Sequence, residues 1–238
     1  TAYEIASCLV GSEMCIRDRY NSIGYNFFER SVLPQMGARS KHFSFSEKND
    51  IKYFKVPTPL SELFFKTTFE QGQILDALIT VNTSPNFNYA IAYRGMRSLG
   101  KYINNRSNNS NFKLAFLVND KSQRYNAKIH YNSQSIINQE NGGLKPGSIL
   151  AFEEGDPDFL DRSLIDNRFN NAENELTGKR YHLSHIWKII KENKSPNFRF
   201  EIGHEFNYET KSYRFYQNSE SFFFGATFNP VSYTHLTL

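Results

Sequence analysis

The feature that most constrains this chain is an alternation of apolar and polar residues that persists over unusually long segments. In residues 86–95, one face carries Phe87, Tyr89, Ile91 and Tyr93, and the other carries Asn88, Ala90, Ala92 and Arg94. A helix would scatter these side chains around its circumference, whereas a strand places every second residue on one face. The same pattern recurs at residues 111–119, 124–132 and 197–208, so we predict β-strands there.

Weaker segments also indicate extended backbone. They lie at residues 21–28, 50–56, 62–70, 73–82, 179–190, 212–218 and 222–228. The predicted links alternate in length: short at 83–85, 120–122 and 192–195, long at 97–110 and 134–179. Bilayer-spanning strands need about 9–11 residues, against about 5–6 in an average soluble strand. Strand length and loop asymmetry together favour an all-β antiparallel meander that forms a partial, unclosed transmembrane outer-membrane β-barrel. A soluble, secreted, carbohydrate-binding β-sandwich is the alternative.

Composition excludes several classes of protein. Aromatic residues make up 16% of the 238-residue chain although the mean hydropathy is −0.58, and no run of 18 apolar residues could form a membrane helix. The net charge of +4 comes from basic residues spread along the chain, which predicts no nucleic-acid partner.

Both ends of the chain differ from its interior. Residues 9–18, LVGSEMCIRD, resemble the translation of a transposase sequencing adapter, and residues 230–238, PVSYTHLTL, resemble the translation of its inverted copy. We therefore expect residues 1–19 and 230–238 to be translated adapter, and residues 20–229 to be a native fragment cut at both ends. This fragment would hold no cysteine, since Cys8 and Cys15 are the only two, which is compatible with an oxidising envelope compartment.

Three stretches carry a family resemblance: residues 56–102, the motif NQENGGL at 138–144, and residues 156–185. Together they resemble the Putative porin family of Bacteroidetes outer membranes, over roughly residues 52–185. The resemblance implies an outer-membrane β-barrel that is longer than this chain, with a signal peptide upstream and further strands downstream. It also implies passive diffusion of small hydrophilic solutes, by the intact parent rather than by a barrel that lacks strands. A non-conducting barrel that binds a ligand or protein through its long loop is the alternative.

Alternation assigns side chains to two environments. The lumen-lining candidates are Arg94, Lys113, Arg124, Lys128, Arg199, Glu201 and Glu205. The lipid-facing candidates are Phe87, Tyr89, Ile91, Phe112, Leu114, Phe116, Ile129, Phe198, Phe200, Ile202 and Phe206. Aromatic residues near strand ends, Tyr93, Tyr131, Tyr181 and Tyr208, predict an interfacial girdle or ordinary cross-strand packing. The mixed sign of the lumen charges argues against strong ion selectivity.

The long segment 134–179 is predicted to be an outer loop. Apolar residues between 158 and 176 have near-helical spacing, which predicts one or two short helices over or in the barrel mouth; a mobile loop is the alternative. Arg94, Arg97 and Lys101 would form a basic rim that meets the phosphates of outer-membrane lipid, lipopolysaccharide included, or an anionic solute.

The sequence gives no support for catalysis or for a cofactor. It contains no nucleophile elbow, phosphate-binding glycine loop or cysteine nucleophile outside the terminal segment. His182 and His185 would point to opposite faces of a strand and so would not chelate a metal together. Asp156, Asp158 and Asp161 are a weak candidate for a divalent cation, because the spacing of a recognised calcium loop is missing.

Overall fold

Eight antiparallel strands form one sheet in chain order. The computed structural model describes residues 42, 44–67, 72–100, 102–155, 157, 161, 164–189, 200–218 and, as backbone alone, 232–237. The strands are β1 (Leu60–Thr67), β2 (Gln73–Ser84), β3 (Phe87–Ser98), β4 (Ser107–Asn119), β5 (Tyr125–Glu140), β6 (Ala172–Lys188), β7 (Glu201–Gln217) and β8 (Ser232–Thr237). Each strand pairs with the next, so the predicted all-β meander is confirmed.

The sheet is open, with β1 and β8 at its two edges. Every strand in the described ranges belongs to this sheet, so they contain no second sheet of the kind a β-sandwich requires. β8 lies in the C-terminal segment for which we predict an adapter origin, and its pairing with β7 leaves that origin untested. The N-terminal segment 1–19 and the weak strand segments 21–28 and 222–228 lie outside the described residues.

Several strands are longer than the apolar pattern predicts. β5 has 16 residues, and β6 and β7 have 17 each. The predicted loop 134–179 is therefore shorter, at 141–171, and the predicted link 97–110 shortens to 99–106. The apolar pattern does not reveal these extensions, because the residues in them are polar on both faces. The backbone hydrogen bonds nevertheless continue past the end of the apolar face, for example where Ser135 pairs with Thr177. The segments 197–208 and 212–218 are likewise joined in one strand, β7.

In the described part of the loop between β5 and β6 lies one α-helix, α1 (Pro146–Glu154). Proline at the first turn is preorganised for a helix, and Gly155 ends it in the left-handed conformation at φ 68°. The loop is partly helical as predicted, but its described α-helix precedes the predicted region 158–176, of which residues 165–169 form no helix and Ala172 to Leu176 belong to β6. No helix among the described residues is long and apolar enough to cross a membrane.

Hydrogen bonds fold the loop 141–171 onto itself. Its two arms are joined where the Arg168 amide donates to the Gly143 carbonyl at 2.9 Å and the Lys145 amide donates to the Asp166 carbonyl at 3.1 Å. The Asn167 side chain donates to the Ile103 carbonyl at 2.7 Å, which links this loop to the one between β3 and β4. The described part of the loop is thus folded rather than extended.

Candidate functional site: the two faces of the sheet

The two faces of the sheet have different surroundings. The open face carries the side chains in register with Tyr93 and Tyr131, and many of them are exposed. The covered face carries those in register with Arg94 and Asn132, and residues 42–56 lie across it. Alternation along each strand therefore separates two surfaces, as the sequence predicts.

The open face carries an apolar band. Leu63 is 75% exposed, Phe206 59% and Trp187 53%. In water, each of these apolar side chains would be more stable if it were buried. The predicted lipid-facing residues from β3, β4, β5 and β7 belong to this face, together with Phe200 immediately before β7. Phe198 lies outside the described residues. That lipid covers this band stays a prediction.

Aromatic rings border the band. Tyr131, Tyr181 and Tyr208 stand side by side in β5, β6 and β7, with ring centroids 4.9 Å and 6.3 Å apart, and Phe112 continues the row at 6.4 Å from Tyr131. At the other border Trp187 is the direct neighbour of Tyr125. Aromatic side chains at both borders of an apolar zone are typical of strands that span a membrane.

The band runs obliquely to the hydrogen-bonded rows. In β2 its residues extend from Leu75 to Val81, and in β6 from Tyr181 to Trp187. The row of Leu75 reaches β6 at Thr177, four residues before Tyr181. That offset is about 13 Å along the strand and accumulates over about 19 Å of sheet width, so the strands are tilted by about 35° from the normal to the band. Barrel strands are tilted by about 35–45°.

Two histidines interrupt the band. His185 and His204 are direct neighbours in β6 and β7, and His204 Nδ1 lies 3.2 Å from His185 Nε2. A hydrogen bond between the two imidazoles gives one ring nitrogen of each histidine a partner. Such a bond matters most where no water is present to replace it. The His185 ring also contacts Tyr125, with centroids 5.7 Å apart.

The covered face is polar and rich in amide side chains. Its buried polar residues include Thr80, Asn88, Asn109, Asn111, His130, Asn132, Gln134, Asn138, Asn174, Arg180 and His182. Asn132 is fully buried, and neither atom of its amide makes a hydrogen bond within the described residues. Because buried polar groups require partners, this surface suits contact with water or hydroxylated solutes better than a dry core.

The predicted lumen residues fall into different settings. Lys113, Lys128 and Glu201 lie on the covered face with Arg94 and Glu205. Arg199 lies outside the described residues. Arg124 precedes β5, and its guanidinium donates to the carbonyls of Lys188 at 3.1 Å and Ile189 at 2.7 Å, so it fastens the end of the β5–β6 pair.

Opposite charges compensate one another on the covered face. The Arg94 guanidinium forms an ion pair with Asp76, donating from Nε at 2.8 Å, and Glu205 is paired with Lys48. Sequence reasoning missed both partners, because each comes from a different segment. The predicted basic rim does not form as one surface: Arg94 and Arg97 lie on opposite faces, and Lys101 is outside the described residues.

Residues 42 and 44–56, named here the lumen segment, provide the cover. The sequence predicts extended backbone at 50–56, but the lumen segment forms no strand of the sheet and contains only a 3₁₀ turn at Lys48–Asp50. It crosses from Asn174 in β6, whose Oδ1 accepts from His42 Nε2 at 3.3 Å, to Asn82 in β2, whose Oδ1 accepts from the Val56 amide at 3.3 Å. It thus reaches across most of the sheet.

Side chains of the sheet bind the backbone of the lumen segment. Gln134 accepts from the Ser46 amide at 2.8 Å and donates to the Ser46 carbonyl at 2.9 Å, as a neighbouring strand would. Arg180 donates to the same carbonyl at 2.9 Å. Farther along, the Tyr53 hydroxyl lies 2.7 Å from His130 Nδ1. Burial raises the pKa of Tyr53 to about 12, so the phenol stays protonated and can donate to this imidazole.

Among the described residues, no three histidine, cysteine or carboxylate side chains are grouped to hold a metal ion. Asp156 and Asp158 of the weak cation candidate lie outside those residues, so that prediction stays untested. His182 stacks on His130 on the covered face, with centroids 4.7 Å apart, whereas His185 lies on the open face. The two histidines of the YHLSH motif are therefore separated by the sheet.

The sequence held one signal for the lumen segment. The polar side of the alternation is interrupted by Leu78, Ile136 and Leu176, and by Gly178 in the middle of β6. A glycine inside a strand often marks a place where another group approaches closely. These positions could have indicated that something packs against the covered face, although not which residues.

A protein-family model described as "Putative porin" matches residues 15–236. The match extends beyond the resemblance seen at residues 52–185 and includes parts of both segments for which we predict an adapter origin. No curated protein and no solved structure matches the chain.

Proposed function

The chain belongs to the Putative porin family, and from that premise we propose that it is part of an outer-membrane β-barrel through which small hydrophilic solutes diffuse passively. The family suggests an outer-membrane location and a non-enzymatic channel role. The Bacteroidetes origin implied by the sequence resemblance remains part of the proposal.

The apolar band on the open face is the observation that carries the proposal. Soluble monomers rarely expose contiguous apolar patches larger than a few hundred Å². Here an apolar band crosses the open face from β1 to β7, carries aromatic side chains at its borders and is inclined as in a tilted-strand barrel. Hydrocarbon is the solvent that such a surface fits, because it requires no hydrogen bonds from the side chains.

The covered face supports diffusion rather than strong ion selection. Its amide side chains can exchange hydrogen bonds with water and with neutral hydroxylated solutes. Two of the predicted lumen charges, Arg94 and Glu205, are compensated by Asp76 and Lys48. Selectivity of a pore follows the net field of its lining, so compensated pairs give a weak preference between cations and anions.

The proposal requires the edges of the sheet to be paired. Unpaired backbone groups cost several kcal/mol each in hydrocarbon, so an open sheet does not span a bilayer by itself. Further strands of a longer chain would pair β1 and the last strand. Beyond the tyrosine row, the exposed side chains of Arg97 and Lys179 on the open face would meet phosphates of lipopolysaccharide.

The single tryptophan allows a direct test of the membrane orientation. Trp187 lies on the open face at one border of the band, so in the full-length protein with its other tryptophans replaced by phenylalanine, lipids brominated near the headgroup should quench its emission in refolded vesicles. A tryptophan moved to Phe206 in a Trp187→Phe background should respond best to deeper bromines. A matched Lys128→Trp variant in the same background, on the covered face, should be quenched by aqueous acrylamide instead. Equal responses at both sites would contradict the proposal.

Conduction is tested on the full-length protein that contains this chain. Reconstituted into planar bilayers, it should give conductance steps with little cation or anion preference, and liposomes that contain it should swell in solutions of small sugars.

The loop 141–171 exposes Leu150 and Leu164, which favours the alternative of a barrel that binds a partner there. Deletion of this loop would leave conductance steps in place if diffusion is the function. A complete protein that never conducts would support the binding alternative.

A further inference from the structure

The lumen segment is docked on the covered face by matched features of both surfaces. From these we infer that residues 42–56 are a built-in constriction, which narrows the lumen until it is released. The inference rests on the proposed function, because only in a barrel does the covered face become the wall of a pore. Its structural part, the docking, can be tested separately.

The first matched feature is a socket for Phe45. This ring packs against Ile136, Leu176 and Tyr213, and the Lys211 ammonium lies 4.1 Å from its centroid. On a wall that is mostly polar, such an apolar patch would be exposed to water without its occupant. The ring therefore explains why these strands carry apolar residues on the face that should meet water.

Gly178 gives the socket its depth. A Cβ atom at this position would lie 2.6 Å and 2.9 Å from carbons of the Phe45 ring, which is closer than real Cβ contacts allow. Glycine in a strand interior is otherwise unfavourable, because it lacks a packing side chain and loses more entropy on folding. Only the approach of Phe45 accounts for a glycine here.

The second matched feature is a buried cation. Arg180 is 1% exposed and donates to Glu47 at 2.9 Å and to Glu209 at 2.6 Å, as well as to the Ser46 carbonyl. A buried guanidinium requires partners, and two of its three come from the lumen segment. Lys211 adds a contact of 3.1 Å to Glu47.

The third matched feature lies at the other end of the segment. Ile51 is buried against Ala90 and Ala115, two small residues that let it approach the sheet, and Leu78 packs beside it with Tyr53. Docking at two distant sockets holds the segment across the wall rather than at one point. A chain of this kind would reduce the free cross-section of the lumen.

Accessibility of one engineered thiol tests the docking. In the full-length protein with its other cysteines replaced by serine, Ser46→Cys places a thiol where the buried Ser46 hydroxyl accepts from the Asn111 side chain at 2.8 Å. In vesicles it should react with a water-soluble maleimide at least tenfold more slowly than in the urea-unfolded chain. Equal rates in the two states would overturn the inference.

Gly178→Ala should raise the labelling rate at least tenfold, because the new methyl group expels the Phe45 ring. Gly203→Ala is the matched control on the same face, since its Cβ would meet other atoms only at 3.4 Å and beyond, and its rate should stay within twofold. In a Phe45→Ala background, Gly178→Ala should add nothing. If both glycine variants label alike, or if the two effects multiply, the socket is not the reason for the glycine.

The pore consequence is measured on the full-length protein. Deletion of residues 42–56, or Gly178→Ala, should raise single-channel conductance at least twofold, while Gly203→Ala should leave it unchanged. An unchanged conductance after the deletion would overturn the constriction. Trp187 quenching by brominated lipid in the same variants reports separately on membrane insertion, so the failure of this inference is distinguishable from that of the proposed function.

Discussion

Replacing Arg180 with methionine should destabilise the protein more than any other single removal of a charge on the covered face. The guanidinium is buried between Glu47 and Glu209, and methionine fills similar volume without a donor. Glu209 is only 14% exposed, so the substitution leaves a carboxylate with little access to water. Glu47 is 57% exposed and keeps Lys211, so its loss is small.

The expected magnitude follows from these two environments. Removing one partner of a buried ion pair costs about 3–5 kcal/mol, whereas exposed pairs contribute about 0–1 kcal/mol. Because one of the two carboxylates is exposed, we expect Arg180→Met to lower the free energy of unfolding by about 3 kcal/mol, the lower end of the range. Urea unfolding from lipid vesicles, followed by Trp187 emission, measures this difference.

Two further variants make the reasoning refutable. Arg94→Met breaks an ion pair whose side chains are 63% and 34% exposed, so it should cost no more than about 1 kcal/mol. Adding Glu209→Gln to Arg180→Met should recover at least half of the lost stability, since the uncompensated charge is then gone. A loss below about 1 kcal/mol for Arg180→Met, or no recovery in the double variant, would show that the guanidinium is not the buried anchor.

Three further predictions concern other regions. Phe206→Arg, in the apolar band, should destabilise the protein in vesicles by about 2–4 kcal/mol, whereas Thr210→Arg, beyond the tyrosine row, should cost about 0–1 kcal/mol; similar costs in urea titrations would argue against a lipid-facing band. Gly142→Ala should destabilise the long loop, because φ is +66° and a Cβ would lie 2.5 Å from the Phe169 ring; faster proteolysis between β5 and β6 would reveal it. The codons for residues 13–19 and 230–236 should be inverted copies of one element in the nucleotide read, and unrelated codons would refute the adapter origin.

The period of the alternation predicted the sheet because side-chain direction in a strand is a local property. Phe87, Ile91 and Phe116 belong to the open face as the sequence indicates, and each strand needs only its own residues to separate the two faces. Short links at Pro85 and Asp120 are likewise local, since proline and turn residues decide them.

Strand ends and charge partners could not be read in the same way. β5 and β6 continue past the apolar band because their backbones pair with each other, and that pairing needs no apolar side chain. Arg94 meets Asp76, and Glu205 meets Lys48, across separations of 18 and 157 positions in the chain. Contacts of this kind depend on the register between strands and on the path of a distant segment. The alternation of apolar and polar residues within one strand carries no information about either.

By itself, the sequence determined that this chain forms long antiparallel strands with one apolar face, because alternation at period two admits no other regular structure. Only the tertiary structure decided what covers the other face. The pattern of residues 50–56 indicates extended backbone but names no partner for it. Phe45, Ile51 and Glu47 acquire their role from Gly178, Ala90 and Arg180, which lie in strands far along the chain. Complementarity between distant segments is a property of the folded surface, since no local pattern specifies which socket a side chain will occupy.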